Sequence, residues 1–428
     1  MSSLNRREFV GAMSAASLSA NDTVNLAVIG LGGRGRDHVN VFGSLPGTRI
    51  AAICDVNQEA QERAVAQVEK LQGHKPKVYA DMRRLYDDKD IQAVTVATPN
   101  HWHALAAIWA CQAGKDVYLE KPACHNPFEG AQLIAAAARY GRIVQVGSQS
   151  RSLQFKIRAM ELLRQGVIGK LYLAKGLCYK RRQSIGRTPD TPVPPGIDWD
   201  QFLGPAQLKP FSMNKFKYNW HWFWDTGNGD IGNQGVHEMD IAAWGLGKTT
   251  LPSTVVSTGG KFCYDDDQQT PNTQSAVFDY GDAQLVFEVR GLLTGGEDGV
   301  PSRGGHAIGN IFYGSDGFMG VDLNGFRVYK GEKHELVMDE KFTEKSQWDP
   351  SPHMANFVAA VRARNASGLN APPAIGVLAA NLCHYANISY RTGRKLTLGA
   401  NGSIQGDAEA SRLLTRDYRA PYVVPRIG

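Results

Sequence analysis

Val24-Asn25-Leu26-Ala27-Val28-Ile29-Gly30-Leu31-Gly32-Gly33-Arg34-Gly35 decides how the first third of this chain folds. The opening six residues read as a buried strand, and a glycine-rich turn follows at once. The glycines fit G-x-G-x-x-G. That pattern is weak alone and gains meaning from its place, after a strand and at the start of a helix. There Gly30 permits the tight turn, Gly32 lets backbone approach a pyrophosphate, and Gly35 lets helix and strand pack closely. The free N–H groups of the helix start, around Gly33 and Arg34, would then face the phosphates. Asp55 ends the next strand, twenty residues past Gly35. An acid there accepts hydrogen bonds from ribose hydroxyls and repels a 2′-phosphate, which predicts NAD and makes NADP the less favoured cofactor.

Working outward, strands are expected at 49–54, 91–97, 116–119 and 143–146. Helices are expected at 57–71, from 101 to Gly114, and from Pro127 to about Gly141. Asn126 is the cap of the last of these and Glu129 its third residue. Strand and helix alternating at this spacing predict parallel βαβ units, so 22–148 reads as a doubly wound α/β (Rossmann) domain. The texture then changes. A helix at 152–165 and a strand at 171–179 precede an irregular stretch, 183–220, rich in Pro and Trp. A helix falls within 227–244. Short alternating runs at 273–280, 284–293, 306–313, 318–323 and 334–338 predict a large, open, mostly antiparallel sheet. Thus 149–352 reads as an α/β substrate and oligomerisation domain. Residues 353–428 read as C-terminal helices (353–364, 376–391) and a tail packing back on both domains.

The 428 residues carry a formal net charge of +6 with no long basic run, so nucleic acid is not an expected partner. No stretch is long and apolar enough for a membrane span. The six cysteines include no C-x-x-C pair and read as free thiols. Asn5-Arg6-Arg7-Glu8-Phe9-Val10, followed by a short apolar stretch to Leu18, resembles a twin-arginine export signal. It predicts that residues 1–21 direct the chain to the periplasm; a cytoplasmic protein is expected if the short signal does not function.

Ala97-Thr98-Pro99-Asn100-His101-Trp102-His103 leads through a helix to Gly114-Lys115-Asp116-Val117-Tyr118-Leu119-Glu120-Lys121-Pro122. These segments resemble the Gfo/Idh/MocA family, named for glucose–fructose oxidoreductase and inositol dehydrogenase. The resemblance implies a Rossmann domain joined to an α/β domain with an open sheet, and sugars or polyols as substrates. It implies that Lys121 is the active-site lysine and that Thr98, Pro99, Asn100, His103 and Glu120 stand on the cofactor side. Chemistry agrees for Lys121. It follows a strand at the carboxyl edge of the sheet, where an ammonium can stabilise alkoxide character. Gly227 to Asp240 resembles the family's D-x-x-x-H segment, with His237 as its histidine and proton acceptor. Asn233 stands where the family has Asp. It cannot carry charge, but its amide can orient substrate. On one helix, Asn233, His237 and Asp240 would share a face. Gln149 and Arg151, after the fifth strand, are expected at the cleft, Gln149 by the cofactor and Arg151 by the substrate. Trp220 and Trp222 in the run Trp220-His221-Trp222-Phe223-Trp224 suit the apolar faces of a sugar, and Tyr179 is a further substrate candidate. His101 and His103 lack a third ligand at metal spacing, so no metal is expected.

Export sharpens the choice among functions. Outside the cytoplasm no large NAD pool exists, so the cofactor is expected to stay bound and to be regenerated in each turnover. A sugar or polyol oxidoreductase with tightly held NAD meets this. So does a redox-neutral glycoside hydrolase or lyase that oxidises, eliminates, hydrates and reduces. A catalytically idle NAD- or sugar-binding protein is the reading of another class. An open sheet face predicts a dimer or tetramer.

Overall fold

The structure is a computed structural model and describes residues 23–342 and 349–428; the twin-arginine stretch lies outside the described residues. Strands β1 (Val24–Ile29), β2 (Thr48–Cys54), β3 (Lys77–Tyr79), β4 (Ala93–Val96), β5 (Asp116–Leu119) and β6 (Val144–Val146) form one sheet in the order β3-β2-β1-β4-β5-β6. Every pairing in it is parallel. Helices α1 (Gly33–Ser44), α2 (Gln58–Gln72), α3 (Met82–Tyr86), α4 (His103–Gln112) and α5 (Pro127–Arg139) make the crossovers. Their ends follow local chemistry. Asn57 caps α2 through Glu59 N–H and Gly73 closes it at φ 72°; Asn126 caps α5 through Glu129 N–H, as expected. Strand order reverses between β1 and β4, which opens a crevice at the carboxyl ends of these two strands.

The second domain holds α6 (Gln154–Arg164), β7 (Leu171–Lys180), α7 (Trp199–Leu203), α8 (Gly229–Asn233) and α9 (Gly235–Gly245). Strands β8 (Thr254–Gly260), β9 (Thr273–Asp279), β10 (Gln284–Arg290), β11 (His306–Gly314), β12 (Gly317–Val321), β13 (Gly325–Lys330) and β14 (Glu335–Lys341) follow. With β15 (Leu396–Thr397) they form a nine-stranded sheet, β14-β13-β12-β11-β7-β10-β9-β8-β15. All its pairings are antiparallel except β10 with β7. One sheet face packs Phe278, Phe287, Phe312 and Phe326 against Met160 of α6 and Met239 of α9. The helix expected within 227–244 is divided at Gln234 into α8 and α9. Asn233, His237 and Asp240 therefore do not share one regular helical face. The division lies where α9 presses on the sheet: a Cβ on Gly235 would sit 2.4 Å from the Phe287 ring.

Helices α10 (Ser351–Ala363), α11 (Pro373–Thr392) and α12 (Ala408–Arg412) complete the chain. Met354, Phe357 and Val358 of α10 join Leu26, Phe42 and Tyr118 in a core cluster under the first sheet. Helix α11 puts Val377 into the first domain's core and Leu382 and Ala386 into the second's. The tail is tied at Glu129, whose carboxylate accepts from Tyr418 OH at 3.1 Å, Asn126 Nδ2 at 2.9 Å and His125 N–H at 2.8 Å. Burial pushes this carboxyl up to about 7, against the Arg416 charge and those three donors. The folded protein thus holds a proton that the unfolded chain releases near 4.5. This contribution to stability is full below pH 4.5 and is lost as pH rises through 7, on the order of 3 kcal/mol in all. Thermal melting from pH 5 to 8 should show that slope, and Glu129→Gln should flatten it.

Candidate functional site

A cleft of about 690 Å³ runs along the carboxyl ends of β1, β2 and β4 and is closed on its far side by the second domain. Gly30 turns at φ 83°, with its N–H on Cys54 O at 2.8 Å, and a Cβ there would meet Ala97 C at 2.7 Å. Gly32 and Gly33 face open space, and α1 starts at Gly33 with no side-chain cap and no acid in its first turn. Free N–H groups and room for an anion coincide, as a pyrophosphate requires. Gly35 does not wall the cleft. It holds α1 against the turn, where a Cβ would lie 1.8 Å from Gly30 O. Gly35→Ala should push the helix off the turn, cost about 2–3 kcal/mol, and abolish nucleotide retention measured by absorbance of the purified protein.

Asp55 lies at the cleft. Its carboxylate accepts Leu31 N–H at 2.5 Å and Asn57 N–H at 2.8 Å, and burial raises it above the usual carboxylate range. Each oxygen keeps a lone pair for a ribose hydroxyl. Thr98, Pro99, Asn100, His103, Arg34, Glu120 and Lys121 also wall the cleft. His103 lies between Thr98 O at 2.8 Å and Pro122 O at 2.6 Å, so it ties together the loops after β4 and β5. Glu120 is occupied by the protein itself. Its Oε1 accepts from Arg34 at 2.8 Å, His38 at 3.0 Å and Gln149 at 3.1 Å. Burial alone would raise Glu120, but Arg34, His38 and Lys121 hold it well below the carboxylate range. Gln149, spent on Glu120 and on Tyr118 OH, stands behind the wall rather than on it.

Lys121 crosses the seam between the domains. Its Nζ donates to the carbonyl of Asn233, the last residue of α8, at 2.7 Å. Burial lowers its pKa, Glu120 opposes the shift, and Arg34 and Lys180 add to it. Asn233 also walls the cleft, where its amide donates to Tyr218 OH at 3.0 Å. His237 is half-buried and not on the cleft wall, although burial and the Lys121 charge push it far below its usual value.

Four expected substrate residues are placed elsewhere. Asp240 is locked to Arg151 by a two-pronged ion pair at 2.7–2.9 Å, and Arg151 also covers the Trp244 ring. Neither is left to bind a ligand. Trp222 is buried under the Arg182 guanidinium, while Trp220 does reach the cleft. Tyr179 sits on the other face of the second sheet, bonded to Glu288 and Glu297; its neighbour Cys178 takes the helix side. The cleft is also walled by residues that the sequence reading did not single out: Lys217, Tyr218, His221 and Tyr422. His221 Nδ1 lies 2.6 Å from Tyr218 O, so Nδ1 carries the hydrogen and Nε2 is an acceptor. The ring stacks on Trp220 at 3.6 Å, and Nε2 makes no hydrogen bond among the described residues. Burial, with the charges of Lys121 and Arg182, pushes His221 down to about 3.

A cleft of this build belongs to two-domain dinucleotide-dependent enzymes, one domain cradling the nucleotide and the other walling the substrate. Residues 24–148 match the family model described as an oxidoreductase family with NAD-binding Rossmann fold, and residues 174–283 match its C-terminal alpha/beta domain. The two matches cover more than half of the chain, and the chain belongs to the Gfo/Idh/MocA oxidoreductase family. Its nucleotide is NAD, and the glycine cradle, the uncapped α1 and Asp55 fit that group.

Among solved structures, the WlbA dehydrogenase from Bordetella pertussis, in complex with NADH and UDP-GlcNAcA, is similar with a TM-score of 0.65 and 17% identity, over 88% of this chain and 98% of that one. An oxidoreductase domain protein from Kribbella flavida is similar at 0.65 and 20%, over 88% and 99%. Curated relatives share less of their length. A glycosyl hydrolase family 109 protein of Shewanella sp. (strain W3-18-1) is 33% identical over 154 residues, 35% of this chain and 34% of the relative. The alpha-N-acetylgalactosaminidase of Shewanella oneidensis is 32% identical over 154 residues. The chain thus spans about a third of the length of these relatives.

Proposed function

We propose that this protein is an NAD-dependent oxidoreductase of sugars or polyols that keeps its nucleotide through turnover. The observation that carries the reading is Lys121, its pKa lowered, at the seam between the glycine cradle and the second domain. NAD, when bound, supplies a hydride acceptor. As a carbinol carbon gives up hydride, the hydroxyl proton passes to the Lys121 amine and a ketone remains. The ammonium returns that proton when the reaction runs backward. His221 Nε2 accepts the hydrogen bond of the substrate hydroxyl, and the Asn233 amide and Trp220 hold the ring. Assigning the proton to a histidine, as the motif suggests for His237, fits poorly. Burial lowers the basicity of both imidazoles, which makes each a weak proton acceptor.

A second reading is favoured by the relatives named for glycosidase activity: oxidation, elimination of the leaving group, hydration and reduction at the same site. Incubation with 4-nitrophenyl glycosides, including the N-acetyl-α-galactosaminide, separates the two. Released phenol without net NADH supports the hydrolase. NADH formed from free sugars supports the oxidoreductase, and neither product from a broad panel overturns both. The row Val256–Val277–Val286 on the uncovered sheet face supports a homo-oligomer, to be read by light scattering. The Arg6-Arg7 pair supports periplasmic export, to be read by cell fractionation of a form with both arginines changed to lysine.

A further inference from the structure

We propose that the adenosine end of the nucleotide site is clamped from outside the nucleotide domain, by a strap at 194–217 and by Tyr422 of the C-terminal tail, and that this clamp is what keeps NAD resident. The inference rests on the NAD-dependent reading above and adds a device that sets how fast the nucleotide leaves.

The strap begins where the ribose side of the cleft ends. Directly after Asp55, Val56 O accepts Asp198 N–H at 2.9 Å, and Gln58 N–H donates to Gly196 O at 2.8 Å. Asn57 and Ile197 form an antiparallel bridge. Second-domain backbone is thus bonded to the loop that carries the ribose-binding acid. The strap has its own small core of Trp199, Phe202, Phe211 and Phe216, with Trp199 stacked on Phe202 at 4.9 Å. Near its end the strap is moored to the second domain by Asn214, whose amide donates to Asp267 at 2.9 Å, and the chain leading into it is moored by Ser184 on Asp266 at 2.8 Å.

The tail closes the same end. Tyr422 is 4% exposed, packs its edge on Trp102 at 5.4 Å and donates its hydroxyl to Asp200 at 3.2 Å. Arg419 donates to the same Asp200 carboxylate at 2.6 Å and to its carbonyl at 2.8 Å. Strap and tail are therefore tied to each other at Asp200, over the cleft that Gln201, Phe202, Phe216, Lys217 and Tyr422 all wall. None of these residues belongs to the glycine cradle. A nucleotide leaving from its adenosine end must displace two segments more than two hundred residues apart in sequence, so its off-rate follows their opening and not its own contacts alone.

The test uses the full chain loaded with NADH and chased with excess NAD, following loss of bound NADH fluorescence. Slow exchange in the parent protein, with Tyr422→Ala faster by about ten-fold or more at a temperature where both forms stay folded, is the expected result. If Tyr422→Ala does not fold, Asp200→Asn, which loosens both tail contacts from an exposed carboxylate, is held to the same criterion. A variant as slow as the parent overturns the clamp alone; a parent protein that exchanges within the mixing time overturns the clamp and the retention of nucleotide through turnover, and leaves NAD dependence standing. A parent protein that takes up no NADH overturns both.

Discussion

Lys121→Ala is expected to lower the rate of bound NAD reduction by about 10³-fold while the protein still retains its nucleotide. Among the described residues, Lys121 is the one side chain that reaches from the nucleotide domain to the Asn233 carbonyl, and burial disfavours its ammonium form. A lysine of ordinary pKa would be a poor proton acceptor near neutrality; one lowered by burial is a better one. The sign follows. The amine must be free to take the substrate proton, so oxidation should rise with pH and level off above the lowered pKa of Lys121. No separate step should appear near 6.5, because both nearby imidazoles stay neutral there. Lys121→Arg separates charge from proton transfer. Arg keeps the positive charge and the donors but cannot deprotonate, so it should remain nearly as slow as Ala. A Lys121→Arg form at close to parental rate would show that the cation alone is required. Stopped-flow absorbance at the NADH band reads all three forms in one turnover.

The first domain was readable because its signals are local. The strand, glycine turn and distant acid lie within one βαβ unit, and the caps at Asn57 and Asn126 sit beside the helices they start. Strand β3 escaped notice because it is three residues on a sheet edge with no buried position to leave a pattern. Strands β8 and β13 were missed, and the parallel pairing of β10 with β7 depends on a partner more than a hundred residues away. The errors at the site have a different origin. A strand's alternation does not say which face is which, so Tyr179 and Cys178 could not be told apart, and the tyrosine turned away from the cleft. Arg151 and Asp240 are 89 positions apart and cancel each other, which no spacing announces. Tyr218 and Tyr422 lie on irregular chain and His221 in a single short turn, Asn219–Trp222, so their placement depends on contacts made elsewhere. The aromatic run around Trp220 signalled that something packs there, but not which ring would face the cleft.

His103, which also feels the Lys121 charge, lies between two backbone carbonyls; between His221 and His237 the geometry favours the one without a family motif. His221→Asn should lower single-turnover oxidation by about 10²-fold, while His237→Asn should change it by only a few-fold. The His221 ring is fixed by its bond to Tyr218 O and by the Trp220 plane, so Nε2 meets the cleft as an acceptor with no other partner among the described residues. Removing it leaves the substrate hydroxyl without its acceptor and frees the angle from which that hydroxyl approaches Lys121. His237 follows the division between α8 and α9 and stands off the cleft wall. Its removal takes away no contact with the reacting atoms. The pH profile discriminates further. If His221 only accepts a hydrogen bond, its variant should show a lower plateau with the same rise, because the rise belongs to Lys121. If a histidine takes the proton instead, the parent profile should carry a step that the decisive variant loses. A larger loss in His237→Asn than in His221→Asn would return the proton to the motif histidine and require the cleft to rearrange around the substrate.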